Sequence, residues 1–401
     1  MKHPFLPALL GALFLLTCAA CEDPSNVGVG LVGEGGEPVL ERVDATRLDT
    51  TAKRDVTGNT QRLLAGTVAD PLLGTITAEG FLDLLNVSGE DLPGFRDTLL
   101  TSATLRLVPD YVYGDTTREV TLTLFGMPEE FNATSAFADT TLLAGEAITT
   151  FSFLPTDSLV TVSLPETWLA ENDTTLRSTS VADVLHGFKL AAAPGSGNAV
   201  VGFDRSETVL EAIAGADTVF FGQSSGTASG FKSLTTLSRE GEPTLLPDRT
   251  VLQDGVGPGV RLDLDLTDSD FLGEALNRAE IVVYADLLAL QQNAPAGFAR
   301  PTIEPVELIG VDADGNVPSL SDGSPILSIF AEPDEEGRLR FSSNVLRVLI
   351  QEVLLERDND IDHFELRAPP ALTSISPLFL YPVGSGETTP QVQLTIANAD
   401  S

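Results

Sequence analysis

"VTLTLF", residues Val120 to Phe125, sets Val120, Leu122 and Leu124 against Thr121 and Thr123 in strict alternation. Successive side chains of a strand point to opposite faces, so this period describes a strand with one dry face and one wet face. The pattern recurs in "ATLRLVPD" (Ala103 to Asp110), "LVTVSL" (Leu159 to Leu164) and "VRLDLDL" (Val260 to Leu266). It returns in "AEIVVYAD" (Ala279 to Asp286), "GRLRF" (Gly337 to Phe341) and "VQLTIA" (Val392 to Ala397), with Gly, Pro, Asp and Asn between the runs. Short alternating runs separated by turn residues predict an all-β, antiparallel, jelly-roll-like β-sandwich with a few short helices.

Two helices interrupt the strands. "SSNVLRVLIQEVLLERDND" offers Ser342 or Ser343 as a cap and Val345, Leu349, Val353 and Leu354 as an apolar face. "LPETWLAEN" (Leu164 to Asn172) is shorter and holds the one tryptophan, Trp168, expected in the core. Both stand after an alternating run and before a second strand, "VADVLHGFKLAAA" in one case and "NDIDHFELRAP" in the other. "TLLTSATLRLVPD" likewise parallels "EALNRAEIVVYAD". The recurrence predicts two related modules, residues 41–248 and 249–401, joined near Gly241 to Gly259, with one continuous larger sandwich as the alternative.

The first 40 residues read as an address. Lys2 and His3 precede an apolar run from Phe5 to Leu16, then Ala19, Ala20 and Cys21, the order of an export leader over residues 1–20. The small pair before a cysteine is similar to a bacterial lipoprotein signal, which implies acylation of Cys21, with Cys18 as the other choice. These are the only cysteines, so the body has no thiol pair for a disulfide. Residues 21–40 start with Glu22 and Asp23 and turn Gly-rich, as a flexible tether does. Acidic residues directly after the anchor resemble the surface-export signal of Bacteroidota lipoproteins, which implies an outer-membrane protein facing outward.

Charge narrows the partners. Asp and Glu number 58 against 23 Lys and Arg, a formal charge of −35. Such a chain repels nucleic-acid backbones and polyanionic surfaces, so no nucleic-acid partner is expected. The same surplus suits concentrated salt, where self-repulsion is screened. A melting temperature that fails to rise towards molar salt would contradict that expectation.

"LLAGTVADPLLGTITAEGFLDL", Leu63 to Leu84, with Gly66, Asp70-Pro71, Gly74, Thr75 and Ala78 at its core, resembles the domain-of-unknown-function 4270 family of Bacteroidota outer-membrane lipoproteins. "VYGDTTREVTLTLFGM" adds a Gly114-Asp115 corner in keeping with it, while Leu73 stands where that family usually has an aromatic. The resemblance implies an envelope lipoprotein and brings no activity with it. The strand–helix–strand rhythm is also similar to jelly-roll modules found beside carbohydrate-active domains, and such a pattern carries no function by itself. Physically, Asp70-Pro71 followed by glycine is a turn.

Candidate chemistry is sparse. "GQSSG" spells a nucleophile elbow around Ser224, but "TASGFKSLTT" after it is a poor helix, so a flexible loop is the expected reading. Asp263, Asp265, Asp268 and Asp270, the set Asp312, Asp314 and Asn316, and the set Asp358, Asp360 and Asp362 are the places where a structural calcium ion would find oxygens. None completes an EF-hand loop. His186 and His363 are too few for zinc without thiolates and read as strand-edge residues. "DTL", "DSL" and "DTV", around Thr98, Ser158 and Thr218, look like short O-glycosylation signals, which an intact mass would detect.

The expectation is therefore a non-catalytic, lipid-anchored envelope protein without a cofactor, binding glycan or protein. Trp168, Tyr111 and Tyr113 are the aromatics to test for sugar stacking, Trp168 being the one read as core. The alternative is a structural or secretion-accessory lipoprotein acting through a membrane-protein partner.

Overall fold

The computed structural model describes residues 39–53, 62–84, 93–131, 145–178, 181–222, 231–241, 246, 248–255, 257–266, 275–292, 294–355, 361–369 and 374–396. It is an all-β protein of antiparallel sheets, as the alternation predicts. The chain opens with β1 (Val39–Lys53), β2 (Arg62–Asp70), β3 (Gly74–Leu84), β4 (Ser102–Leu107), β5 (Pro109–Asp115) and β6 (Val120–Gly126). It continues through β7 (Ala147–Phe153), β8 (Val160–Ser163), β9 (Phe188–Ala192), β10 (Ala199–Asp204), β11 (Val209–Ala214), β12 (Asp217–Phe221) and β13 (Phe231–Glu240). The second half holds β14 (Thr250–Gln253), β15 (Pro258–Leu264), β16 (Leu276–Tyr284), β17 (Phe298–Ala299), β18 (Val306–Val311) and β19 (Ser328–Ala331). β20 (Arg338–Ser342), β21 (His363–Arg367), β22 (Pro377–Leu380) and β23 (Gln391–Ile396) complete it. The helices are α1 (Pro93–Asp97), α2 (Glu166–Leu176), α3 (Val181–Val184), α4 (Leu287–Gln292) and α5 (Asn344–Leu354).

The two halves share strand orders. The first half places β7-β6-β9-β3 in one sheet and β12-β11-β4-β8 in another. The second half places β19-β18-β21-β15 and β1-β23-β16-β20 in the same two orders, with α5 after β20 where α2 follows β8. One strand breaks the parallel. β12 follows β11 through a tight turn at Gly215, but its counterpart beside β23 is β1, from the other end of the chain. Residues 39–44 of β1 pair with β23, residues 45–53 pair with β15, and the sheet passes from one layer to the other along this strand. The first described strand is thus a member of the second sandwich. β17 makes the reverse crossing and pairs with β5.

The layer formed by β2, β5 and β10 lies between two cores. Leu64, Val68, Tyr113 and Val200 pack with the second half, whereas Leu63, Ala65, Ala199, Val201 and Phe203 pack with the first. Burial on both faces explains why β10 is buried from Ala199 to Phe203 with no polar alternation. The glycine spacing has a steric cause here. Gly66 has φ +130°, and a Cβ there would lie 2.3 Å from the Ala199 carbonyl oxygen on the neighbouring strand.

α5 forms and buries Leu354 as expected, but the rest of its inward stripe differs. Ser343 is the cap, its hydroxyl accepting from the Leu346 amide at 3.0 Å. Leu346, Ile350 and Leu354, spaced four apart, enter the core; Leu349 and Val353 are only partly buried, and Val345 is exposed. Packing against β16 sets the face one residue on from the predicted one. α2 runs beyond Asn172 to Leu176, and Trp168 is partly buried against the first core, its ring 5.8 Å from that of Phe188.

Candidate functional site

Tyr111 and Tyr113 are not available to a ligand. They lie 9% and 0% exposed on β5, where they serve two buried polar nodes. In the first, the Tyr113 hydroxyl donates to Asp70 Oδ2 at 2.6 Å. Arg300 grips the same carboxylate with both arms of its fork, at 2.9 and 3.0 Å, and gives a third hydrogen bond to the Leu290 carbonyl at 2.8 Å. The amides of Leu72 and Leu73 also donate to Asp70 Oδ1, so the turn read from Asp70-Pro71 is real and its carboxylate has a second task. Burial, with the Asp70 charge beside it, pushes the Tyr113 hydroxyl far above its usual range. The node ties the first half to the segment after α4.

The second node surrounds Asp254. Its carboxylate accepts from the Ser374 amide at 2.9 Å, the Ser374 hydroxyl at 2.7 Å and the Gly255 amide at 2.7 Å. Tyr111 meets Ser376 Oγ at 3.0 Å and accepts from the Ile375 amide at 3.2 Å. Burial pushes the Asp254 carboxyl up to about 7, against the hydrogen bonds from Ser374 and Gly255 and the charge of Arg62. An acid raised on folding binds more protons in the folded state than in the unfolded one. Its contribution to stability therefore falls as pH climbs from the unfolded value of 3.8 towards about 7. Compared with wild type, Asp254→Asn should lose less stability between about pH 5 and about pH 8, the difference reaching a few kcal/mol at ~1.4 kcal/mol per pKa unit. Urea titrations at the two pH values check this; identical pH slopes in the two proteins would contradict it.

The acidic sets are engaged elsewhere. Asp312 Oδ1 accepts from the amides of Asp314 and Asn316 at 3.0 and 2.7 Å, in a turn closed by Gly315. Those amides, Asn316 first, hold the Asp312 carboxyl below its usual range. Asp362 takes Arg261 at 3.3 Å and His363 Nδ1 at 3.0 Å, and Asp263 takes Arg261 at 2.8 Å. Asp268, Asp270, Asp358 and Asp360 lie outside the described residues, as do Ser224, Cys18, Cys21 and the tether to residue 38. Among the described residues no three His, Cys, Asp or Glu side chains are grouped to hold a metal ion. His186 is half-buried just before β9, and Thr98, Ser158 and Thr218 are exposed.

An open concavity lies on the layer β1-β23-β16-β20. The inward face of this layer is Ile281, Val283, Leu339, Phe341, Val392 and Leu394, all in the core. The period of two sends their neighbours outward: Arg42 and Asp44 on β1, Gln391 on β23, Tyr284 on β16 and Arg338 on β20. Register aligns them, with Asp44 opposite Gln391, Gln391 opposite Val282, and Tyr284 opposite Arg338. Glu336 before β20 and the short 3-10 turn Gly386–Thr388, with Glu387, raise walls on two sides. They enclose about 790 Å³. Gln391 Nε2 donates to the Tyr284 hydroxyl at 3.4 Å, and Arg338 is held by Asp334 and Glu336, each at 2.8 Å. The side chains of Arg42 and Asp44 make no hydrogen bond or ion pair with the described residues and stand exposed.

No described helix is long and apolar enough to cross a membrane. No family model matches the chain, and no curated protein matches it. Among solved structures it is similar to a protein of Parabacteroides distasonis ATCC 8503 described, by inference, as secreted, at 12% identity over 89% of this chain and 97% of that one. The TM-score is 0.21, too low to read a shared fold from it.

Proposed function

We propose that the protein is a non-catalytic envelope lipoprotein, anchored at Cys21 in the outer membrane with its body facing outward, and that it binds glycan in the concavity on β1-β23-β16-β20. The concavity carries this reading. A sugar offers an apolar ring face and a rim of hydroxyls, and the site offers one aromatic ring beside planar guanidinium, carboxylate and amide groups on rigid strands. Opposed charges on Arg42, Arg338, Asp44, Glu336 and Glu387 suit hydroxyl recognition better than a polyanion. The leader, the tether and the likeness of Leu63 to Leu84 to the 4270 family support the address.

Tyr284→Ala should weaken binding by about 10-fold or more, at ~1–3 kcal/mol for a lost stacking ring, while leaving the fold intact. Affinity electrophoresis through gels containing cell-surface polysaccharides reads this directly. Equal retardation of both proteins by every retarding polysaccharide would remove the concavity from the account. For the address, protease shaving of intact cells should remove the wild-type body, and Cys21→Ala should leave it unbound to cells. Protection of a periplasmic control makes the first result meaningful. Survival of wild type until the outer membrane is broken would place the body inside.

A protein partner is the second reading, and one observation favours it. Phe330 is 54% exposed on β19, an edge strand of its sheet, where another chain can add. A stoichiometric membrane protein recovered with wild type and lost with Phe330→Asp would establish it.

A further inference from the structure

A second recess lies on the same sheet layer, towards the end at which β1 begins. Asn277, Arg278, Ser342, Ser343 and Arg347 line it, around about 350 Å³. Register fixes its place: Leu276, at the start of β16, lies opposite Ile396, which lies opposite Val39. Along β16 the two recesses are separated by the six residue steps from Tyr284 to Arg278, roughly 20 Å of strand. Glu280 lies between them, its carboxylate bound to Arg278 on one side and to Arg340 at 2.6 Å on the other.

The charge at this second recess is of the wrong sign for the chain. Glu280 is shared by two arginines, so the pair leaves positive charge uncompensated. Arg347 adds to it. It is half-buried, and among the described residues its guanidinium makes one long hydrogen bond, 3.4 Å to the Leu276 carbonyl, and pairs with no carboxylate. A chain with 58 acidic residues has carboxylates to spare, yet this guanidinium fork is presented to an open recess. A planar fork with unused N–H groups matches a carboxylate or an ester of sulfate or phosphate.

We infer that the ligand is an extended oligosaccharide bearing an isolated anionic group, which the Arg278–Arg347 recess receives while the neutral part lies over Tyr284. This rests on the glycan reading of the first recess. It adds that the ligand spans both recesses and is acidic at one end. A densely charged polyanion is disfavoured by the −35 field around the site.

Calorimetric titration with hyaluronan oligosaccharides, in which uronic acids alternate with neutral sugars, and with neutral-chain oligosaccharides ending in a single uronic acid, each beside its carboxyl-reduced counterpart, tests it. Wild type should bind an acidic member about 10- to 100-fold more tightly than its reduced form, the worth of one charge-assisted pair. Arg347→Ala should erase that preference, Arg347→Lys should retain part of it, and Tyr284→Ala should weaken both forms alike. Equal affinity for acidic and reduced forms would overturn this inference and leave the glycan reading in place. A preference untouched in Arg347→Ala would overturn it as well, by putting the anion elsewhere. No binding of any member by wild type would count against both readings.

Discussion

Removing residues 39–53 should unfold the second sandwich, and attaching the same residues after Ile396 should restore it. β1 fills the seam between β15 and β23 and contributes Ala45 and Leu48 to the core. Without it, two strands lose their partners along one edge each. At ~1 kcal/mol for each of about ten main-chain hydrogen bonds, before any apolar area is counted, the loss rivals the whole ~5–15 kcal/mol that holds a domain folded. The register supplies the rescue. Val39 lies directly opposite Ile396 on an antiparallel partner, so a two-residue turn such as Asn-Gly can join them as a hairpin. That connection copies the one from β11 to β12 in the first sandwich, where Ala214 lies opposite Asp217. Circular dichroism and urea unfolding distinguish the outcomes. A truncated chain as stable as the intact one would show that β1 is not part of the second sandwich.

The next largest effect is expected at Arg300. Its side chain is 1% exposed and that of Asp70 is 0% exposed, so neither has water to fall back on. Arg300→Met would leave the carboxylate buried with the Leu72 and Leu73 amides and the Tyr113 hydroxyl but no countercharge. Breaking a buried pair from one side costs about 3–5 kcal/mol. Asp70 belongs to the first half and Arg300 to the second, so a single unfolding transition should move to lower urea as a whole. A shift of less than about 1 kcal/mol would mean that water reaches Asp70 and that the node contributes little.

Much of the architecture was written locally. The alternating runs became β4, β6, β8, β15, β20 and β23, each with one face in a core and one outside, and β16, which is buried on both faces from Ala279 to Val283. Strands buried on both faces were not legible, because β10, β18 and β22 have no polar half to mark the period. The repeated strand–helix–strand segments were visible, but the replacement of a twelfth strand by the first one was not. No local pattern states that residues 39–53 pair with residues 391–396.

The candidate site was legible only in fragments. Asp70 is legible as a turn residue and is one; its partner Arg300 is 230 residues away, beyond any local signal. Tyr111 and Tyr113 share a strand face, and alternation cannot say whether that face is wet. Sequence offers them as aromatics for a sugar, but they lie inward, where their hydroxyls satisfy Ser376 and Asp70. The concavity draws on Arg42, Tyr284, Arg338 and Glu387, from four separate segments, and only the register of β1, β23, β16 and β20 brings them together.

Hydrogen–deuterium exchange with and without a retarding polysaccharide tests the placement of the binding surface most directly. Slowed exchange at Arg42 to Asp44, around Tyr284, from Glu336 to Arg338 and from Gly386 to Gln391, with the first sandwich unchanged, is the predicted footprint. Protection confined to the β12-β11-β4-β8 sheet, with none in these four segments, would contradict it.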